Sequence, residues 1–260
     1  MTTALSARNP KVQRLRRLSA RRAERVAEGA FVVEGWKLVA EAQAAGFPLE
    51  AIFVDVDEVG RVPSGDVAVH PVEGRILAGA LDTTTPQGIA AIAKIPAHTL
   101  DDVDAGAGPV LVLSGVGDPG NAGTLLRGAE AAGCSAVLFC DGSVDAYAPK
   151  CVRASAGSIF RVVVVQEEKG VKVLDELEAR GVRRLGTAAR AGVPFDEADL
   201  VSPFALVLGS EAHGPARAVQ AAVDEDLCIP MAGTVESLNV GVAGAVILFE
   251  AARQRRQVAR

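Results

Sequence analysis

Residues 109–130 read PVLVLSGVGDPGNAGTLLRGAE, and their centre, GVGDPG, satisfies the dinucleotide fingerprint G-x-G-x-x-G. The unbroken apolar run VLVL precedes the glycines and a helical pattern follows them. That order predicts a buried strand, a tight turn and a helix, the repeating unit of a parallel α/β sheet. Asp141 falls close to the spacing at which an acidic residue grips a cofactor ribose. Two details oppose a nucleotide cradle. Pro119 removes a backbone N–H from a loop that should present donors to phosphate. Arg127, which a dinucleotide loop does not require, follows one to two turns into the helix, near Asn121, the expected N-cap.

Downstream the strand–helix alternation continues. AVLFC, RVVVV, RRLGTAA, FALVLG and DLCIP read as strands, with helices expected near 149–156, 170–180 and 214–222. A last helix is expected from about Ser237 to Arg255, with Leu238, Val242, Ala245, Val246 and Phe249 on one face. The fold class is therefore α/β, with a mostly parallel sheet covered by helices on both faces. Upstream, the pattern predicts a basic helix over about 10–28, strands at FVVEG, AIFVDV, DVAVH and GIAAIAK, a helix at WKLVAEAQAAG and a helical turn at ILAGAL. These elements make a separate small α/β domain. The expected organisation is a first domain over 1–95, an acidic Gly/Ala-rich linker over 96–108 and a second domain over 109–260.

Composition bounds the possibilities. With 260 residues, 49% hydrophobic and 23% charged, the chain has ample material for packed cores. No apolar run approaches the ~20 residues of a membrane span. The basic start, MTTALSARNPKVQRLRR, lacks the apolar stretch of a secretory signal, so the cytoplasm is expected. The net charge of −5 argues against indiscriminate nucleic-acid binding by the whole surface. It hides a local block, however: Arg8, Lys11, Arg14, Arg16, Arg17, Arg21, Arg22 and Arg25, opposed between residues 8 and 25 only by Glu24. Such a block either contacts phosphates or forms a solvated helix face, and charge alone does not choose. The four cysteines form no C-x-x-C pair, and Cys134, Cys140 and Cys228 sit in apolar contexts that favour buried free thiols. His70, His98 and His213 are far apart and have no metal-ligand spacing, so no metal site is expected.

Two further predicted strands also end in glycine-bearing loops: LVLGSEAHGPAR (206–217) and IPMAGTVESLNVGVAGAVILFE (229–250). Each alone has an ordinary reading, as turn glycines, a helix cap at Ser237 or a solvated Glu211. Ligands in open α/β sheets bind at the carboxyl ends of strands, so three such loops in one domain point to a shared site.

DPGNAGTLLR, LVLGSEAHG and IPMAGTVESLNVGVAGAVILFE resemble, in order, the three signature motifs of the SpoU (TrmH-like) branch of SPOUT RNA methyltransferases. The resemblance covers about 109–255, and the preceding domain is more loosely similar to the family's ribosomal-protein-like RNA-binding domain. It implies methyl transfer from S-adenosylmethionine to a ribose 2′-hydroxyl of RNA, a deep trefoil knot and a homodimer packed through the catalytic domain. It implies ribosomal rather than transfer RNA, since members with the added domain often modify the ribosome. Carried over residue by residue, it makes Arg127 the catalytic arginine, oriented by Asn121 and Glu211. Ser237 and Asn239 would hydrogen-bond RNA phosphate or ribose, and Gly209, Ile229, Met231 and Leu238 would line the cofactor site. Ala212 stands where the second motif commonly has a glycine, and Gly241 where the third often has a serine. Competing readings are a transfer-RNA methyltransferase, a dinucleotide-dependent oxidoreductase using GVGDPG and Asp141, and a non-catalytic RNA-binding protein of the same fold.

Overall fold

Val12, Leu15 and Leu18 recur every third residue and are fully buried, the apolar stripe of helix α1 (Pro10–Ala20). The structure is a computed structural model that describes residues 4–258 apart from 64, 168, 190 and 211–213. The single basic helix expected over 10–28 is two helices, α1 and α2 (Arg22–Glu28), broken at Arg21, whose backbone is extended. The break has a cause in side-chain chemistry. Buried Arg25 turns back and donates to the carbonyls of Leu18 and Ser19 at 2.8 and 3.3 Å. Those carbonyls would otherwise lack partners at the end of α1.

Then follow β1 (Ala30–Glu34), α3 (Trp36–Ala44), β2 (Leu49–Asp55), β3 (Ala68–Val72), α4 (Gly74–Ala78) and β4 (Ile89–Lys94). They form a four-stranded sheet in the order β1-β4-β2-β3, antiparallel except for the β2–β3 pair. Its core holds Val12, Leu15, Leu18, Val32, Phe53, Leu77 and Ile92.

The rest of the chain supplies β5 (Val110–Leu113), α5 (Pro119–Ala132), β6 (Ala136–Phe139), α6 (Pro149–Ala154), β7 (Val163–Gln166), α7 (Gly170–Ala179) and β8 (Arg183–Thr187). These are followed by β9 (Val193–Pro194), β10 (Phe204–Leu208), α8 (Arg217–Ala221), β11 (Glu225–Cys228) and α9 (Val240–Val258). Seven strands make one sheet in the order β7-β6-β5-β10-β8-β11-β9, parallel throughout. β5 and β10 lie side by side at its centre, and every residue of both is buried, as expected of strands covered on both faces. β9 was not expected from the sequence: two residues ending in a proline carry no strand pattern, and such a strand is tolerated only at an edge, where this one lies.

The chain divides into two compact units, residues up to Ala97 with Tyr147–Phe160, and His98–Ala146 with Arg161–Arg260. Two features of this division differ from the sequence expectation. Residues 98–108, expected within a linker, are part of the second unit, and Leu100 and Val103 are buried in its core beside Val110, Val112 and Leu138. The segment 147–160, expected within the second domain, completes the first unit. There Tyr147 packs on Phe31, Phe160 on Phe47 and Phe47 on Phe31, with ring centroids 4.7, 5.1 and 5.9 Å apart. Arg153, on α6, donates to Glu34 at 2.9 Å and to the carbonyl of Asp82 at 3.0 Å.

Candidate active site

The first loop starts where β5 ends. Asp118, not Asn121, caps α5: its side chain accepts from the Asn121 backbone N–H at 2.9 Å. Pro119 is the first helical residue, a position with no helical use for the N–H that proline lacks. An Asp-Pro pair three residues before Asn121 was therefore the legible signal. Freed from capping, Asn121 uses its side-chain oxygen to accept from the Asn239 amide at 2.9 Å. Arg127 stands exposed on α5, with no hydrogen bond or ion pair among the described residues.

The third loop meets the first through Asn239. The last helix begins at Val240 rather than near Ser237, because Asn239 caps it: its side-chain oxygen accepts from the N–H groups of Gly241 and Val242 at 2.9 and 3.3 Å. The Asn239 amide nitrogen is left to donate to Asn121, so one side chain both starts α9 and ties it to α5. The two helices pack closely at Gly244, where an added Cβ would lie 2.4 Å from Leu125 Cδ2 and 2.7 Å from Leu208 Cδ1.

The second loop leaves β10 through Gly209. A Cβ there would sit 2.0 Å from the Pro215 nitrogen, so only glycine lets the chain return this tightly. Ser210 and Gly214 then exchange backbone hydrogen bonds of 3.0 and 2.8 Å. Glu211, expected to orient Arg127, and Ala212 lie outside the described residues.

The second and third loops border a cavity of about 230 Å³. Gly209, Ile229, Met231 and Leu238, the residues expected to line a cofactor site, all border it, and so does Ser237. Sequence reasoning missed Thr187, Ala188 and Ala189, which extend from the end of β8 into its wall. Their only signal was position, just past a strand in a parallel sheet. Asn121 and Asn239 are brought into contact, whereas no contact joins Arg127 to either among the described residues. The walls are mostly aliphatic, with Leu208, Leu227 and Ile247 beside the residues above. Such a pocket of small and branched side chains fits a flat, partly apolar ligand such as an adenosyl group.

The competing groups are otherwise engaged. Asp141 accepts from the backbone N–H of Gly170, the first residue of α7, at 3.0 Å. Burial pushes the Cys134 and Cys140 thiols up to about 12, far from the range of a thiolate nucleophile. Among the described residues, no cluster of three or more His, Cys, Asp or Glu stands ready to hold a metal, and no helix is long and apolar enough to cross a membrane.

Comparison with known proteins identifies the family. Residues 108–249 match the model of the SpoU rRNA Methylase family, and residues 9–91 match that of the MRM3-like substrate binding domain. The chain is 37% identical over 247 residues to the 23S rRNA (guanosine(2553)-2′-O)-methyltransferase RlmP of Bacillus subtilis, spanning 94% of this chain and 96% of that protein. It is similar to the SpoU methyltransferase AviRb from Streptomyces viridochromogenes, solved in complex with AdoMet, with a TM-score of 0.85 and 29% identity over 96% of this chain and 99% of that one. The AdoMet-bound rRNA methyltransferase from Sinorhizobium meliloti gives a TM-score of 0.85 and 27% identity over 98% of each chain. With its three glycine loops gathered at the strand ends and a family model spanning more than half its length, the chain belongs to the SpoU rRNA methylase family and is an S-adenosylmethionine-dependent RNA methyltransferase.

Proposed function

We propose that the protein methylates a ribose 2′-hydroxyl of 23S ribosomal RNA. The observation that carries this reading is the bond from Asn239, which lies between Leu238 and Val240 of the cavity wall, to Asn121 on the helix that bears Arg127. S-adenosylmethionine supplies an electrophilic methyl group, so the protein must mainly align a 2′-oxygen and accommodate the charge that develops as its proton leaves. Arginine is effectively always protonated, so Arg127 acts as an electrostatic partner for the developing alkoxide and the neighbouring phosphate rather than as a base. By the motif resemblance Asn121 and Glu211 are the residues that orient Arg127 when RNA is bound. Asn239 and Ser237 present amide and hydroxyl groups to RNA phosphate and ribose. Gly209, Ile229, Met231 and Leu238 hold the cofactor, largely through backbone groups and apolar contact.

The first unit binds the RNA. Arg8, Arg16, Arg21 and Arg22 are exposed on or beside α1 and α2 and make no ion pair among the described residues. The reading includes a cytoplasmic place of action and the deep trefoil knot that the resemblance implies, formed by the motif loops near the C-terminus. It also includes a homodimer through α9, which leaves Val242 and Phe249 about half exposed on one side.

Transfer of a labelled methyl group to 23S ribosomal RNA, with the product mapped by resistance of the 2′-O-methylated linkage to alkali, tests the assignment. Arg127→Ala should slow transfer by roughly 10²–10³-fold, the usual cost of one charge-stabilising donor. Equal rates from both proteins would remove Arg127 from catalysis, and labelled transfer RNA with unlabelled ribosomal RNA would overturn the substrate.

A further inference from the structure

Trp36, the only tryptophan in the chain, stands half-buried at the start of α3 in the first unit. Arg61, at the end of a short 3-10 helix (Val56–Arg61) after β2, lies over its ring with the guanidinium carbon 4.2 Å from the centroid. Glu58 fixes both residues. One of its oxygens accepts from Trp36 Nε1 at 3.1 Å and the other from Arg61 Nη1 at 2.7 Å. The Arg61 side chain is nonetheless 58% exposed, so the guanidinium is covered by Trp36 on one side and open to solvent on the other. The loop before β4 closes around this stack. A Cβ on Gly88 (φ +72°) would lie 2.7 Å from Glu58 Oε2, and one on Gly35 (φ +98°) 2.7 Å from Gln87 Oε1. Two positive-φ glycines therefore seat Gln87 next to the residue that precedes Trp36. The loop is held at both ends. The Asp82 N–H donates to buried Ser19 Oγ at 3.0 Å, its carbonyl accepts from Arg153 at 3.0 Å, and the Gly88 carbonyl accepts from the Asp55 N–H at 2.8 Å. Between these anchors Thr84, Thr85 and Gln87 are exposed, and their side chains make no hydrogen bond among the described residues.

A guanidinium backed by an aromatic ring, with an idle amide beside it, suits a base that has left its helix. Unpaired RNA bases stack on aromatic rings and guanidinium planes while amides and hydroxyls read their edges and ribose. We propose that Arg61 is the stacking platform for an unpaired base of the ribosomal RNA, with Gln87 hydrogen-bonding the base edge and the threonine hydroxyls of the loop facing its ribose. This assignment rests on the RNA reading above. Asp55 and Asp57 stand at the start of the 3-10 helix that carries Arg61, and carboxylates repel phosphate. The platform thus takes a base turned out from its backbone, and the exposed arginines of α1 and α2 take the phosphates. The first unit thereby separates the contacts that position RNA from those that select it.

Filter binding of the full chain to protein-free 23S ribosomal RNA and to a fully paired RNA duplex, each across a salt series, tests the platform. Arg61→Ala should weaken binding to the 23S RNA about tenfold, the effect of one lost base stack, with the salt slope and the duplex affinity unchanged. Arg61→Lys keeps the charge but not the plane and should be nearly as weak. Emission from Trp36 should fall as the 23S RNA saturates the wild-type protein. Full affinity in Arg61→Ala, equal weakening on the duplex, or unchanged Trp36 emission overturns the proposal. Rescue by lysine, with a slope shallower by about one in the alanine variant, overturns it too, because Arg61 would then hold a phosphate. A wild-type protein that binds neither RNA would overturn the RNA reading itself, and the platform with it.

Discussion

Asn239 shows how much one amide can carry. Its oxygen accepts two N–H groups at the start of α9 while its nitrogen donates to Asn121. Aspartate keeps the acceptor and loses the donor, so the two roles separate. Asn239→Asp should unfold in urea within about 0.5 kcal/mol of wild type, because Asp and Asn cap helices equally well. Its methyl-transfer rate should nonetheless fall at least about tenfold, the equivalent of ~1.4 kcal/mol from one lost hydrogen bond to a reacting site. Asn239→Ala loses both and should cost about 1 kcal/mol of stability as well. Full activity in the aspartate variant would show that the Asn121–Asn239 bond does not serve the reaction.

At the scale of elements, close approach decides which helices define the site. Gly244→Ala would push a methyl into Leu125 and Leu208, and such overpacking costs about 1–3 kcal/mol. Leu208 also lines the cavity, so thermal unfolding and calorimetry with S-adenosylhomocysteine should report a loss together. A loss of stability with unchanged affinity would mean that the strain relaxes away from the cavity. The other decisive element is α6. Its Arg153 pairs with Glu34, whose side chain is only 4% exposed. Burial raises the Glu34 carboxyl above its ordinary range, against the opposing pull of Arg153. A carboxyl with a raised folded-state pKa takes up a proton more readily folded than unfolded, so its ionised form costs stability once the pH exceeds the ordinary value of about 4.3. Arg153→Met removes the compensating cation. It should cost about 3 kcal/mol near neutral pH, read from urea unfolding, and the deficit should shrink as the pH falls and Glu34 protonates. Glu34→Gln in the same background should restore stability at neutral pH; a deficit independent of pH would place the effect in packing instead.

For the molecule as a whole, the sum of charges misleads. The chain carries −5, yet its basic block is split between two tasks. Arg14 pairs with Glu28 and Glu50 at 2.5 and 2.7 Å, Arg17 with Glu24 at 3.1 Å, and Arg25 is buried against backbone carbonyls. Arg8, Arg16, Arg21 and Arg22 are left exposed. If those four meet phosphates, each contact removed should flatten the dependence of log affinity on log salt by about one. Arg16→Ala/Arg22→Ala should therefore bind ribosomal RNA more weakly at low salt with a slope shallower by about two, in filter binding across a salt series. An unchanged slope would return those arginines to the role of a solvated face.

Much of the second unit was legible in the chain itself. VLVL and FALVL are apolar without alternation, and such strands have only one stable place, the middle of a sheet covered on both faces. The glycine loops after them followed from the same pattern, and with the motif resemblance they named Gly209, Ile229, Met231, Ser237 and Leu238, all of which border the cavity. What only the tertiary structure decided are partnerships between distant residues. Arg153 finds Glu34 across 119 positions and Asn239 finds Asn121 across 118. The first contact accompanies the placement of the 147–160 segment in the first unit and the second ties α9 to α5, whereas the Asp118 and Asn239 caps are local bonds. Periodicity and capping rules read neighbours along the chain, whereas the burial of a lone carboxylate or the partner of a distant amide is settled by whichever group the folded backbone brings within hydrogen-bond reach.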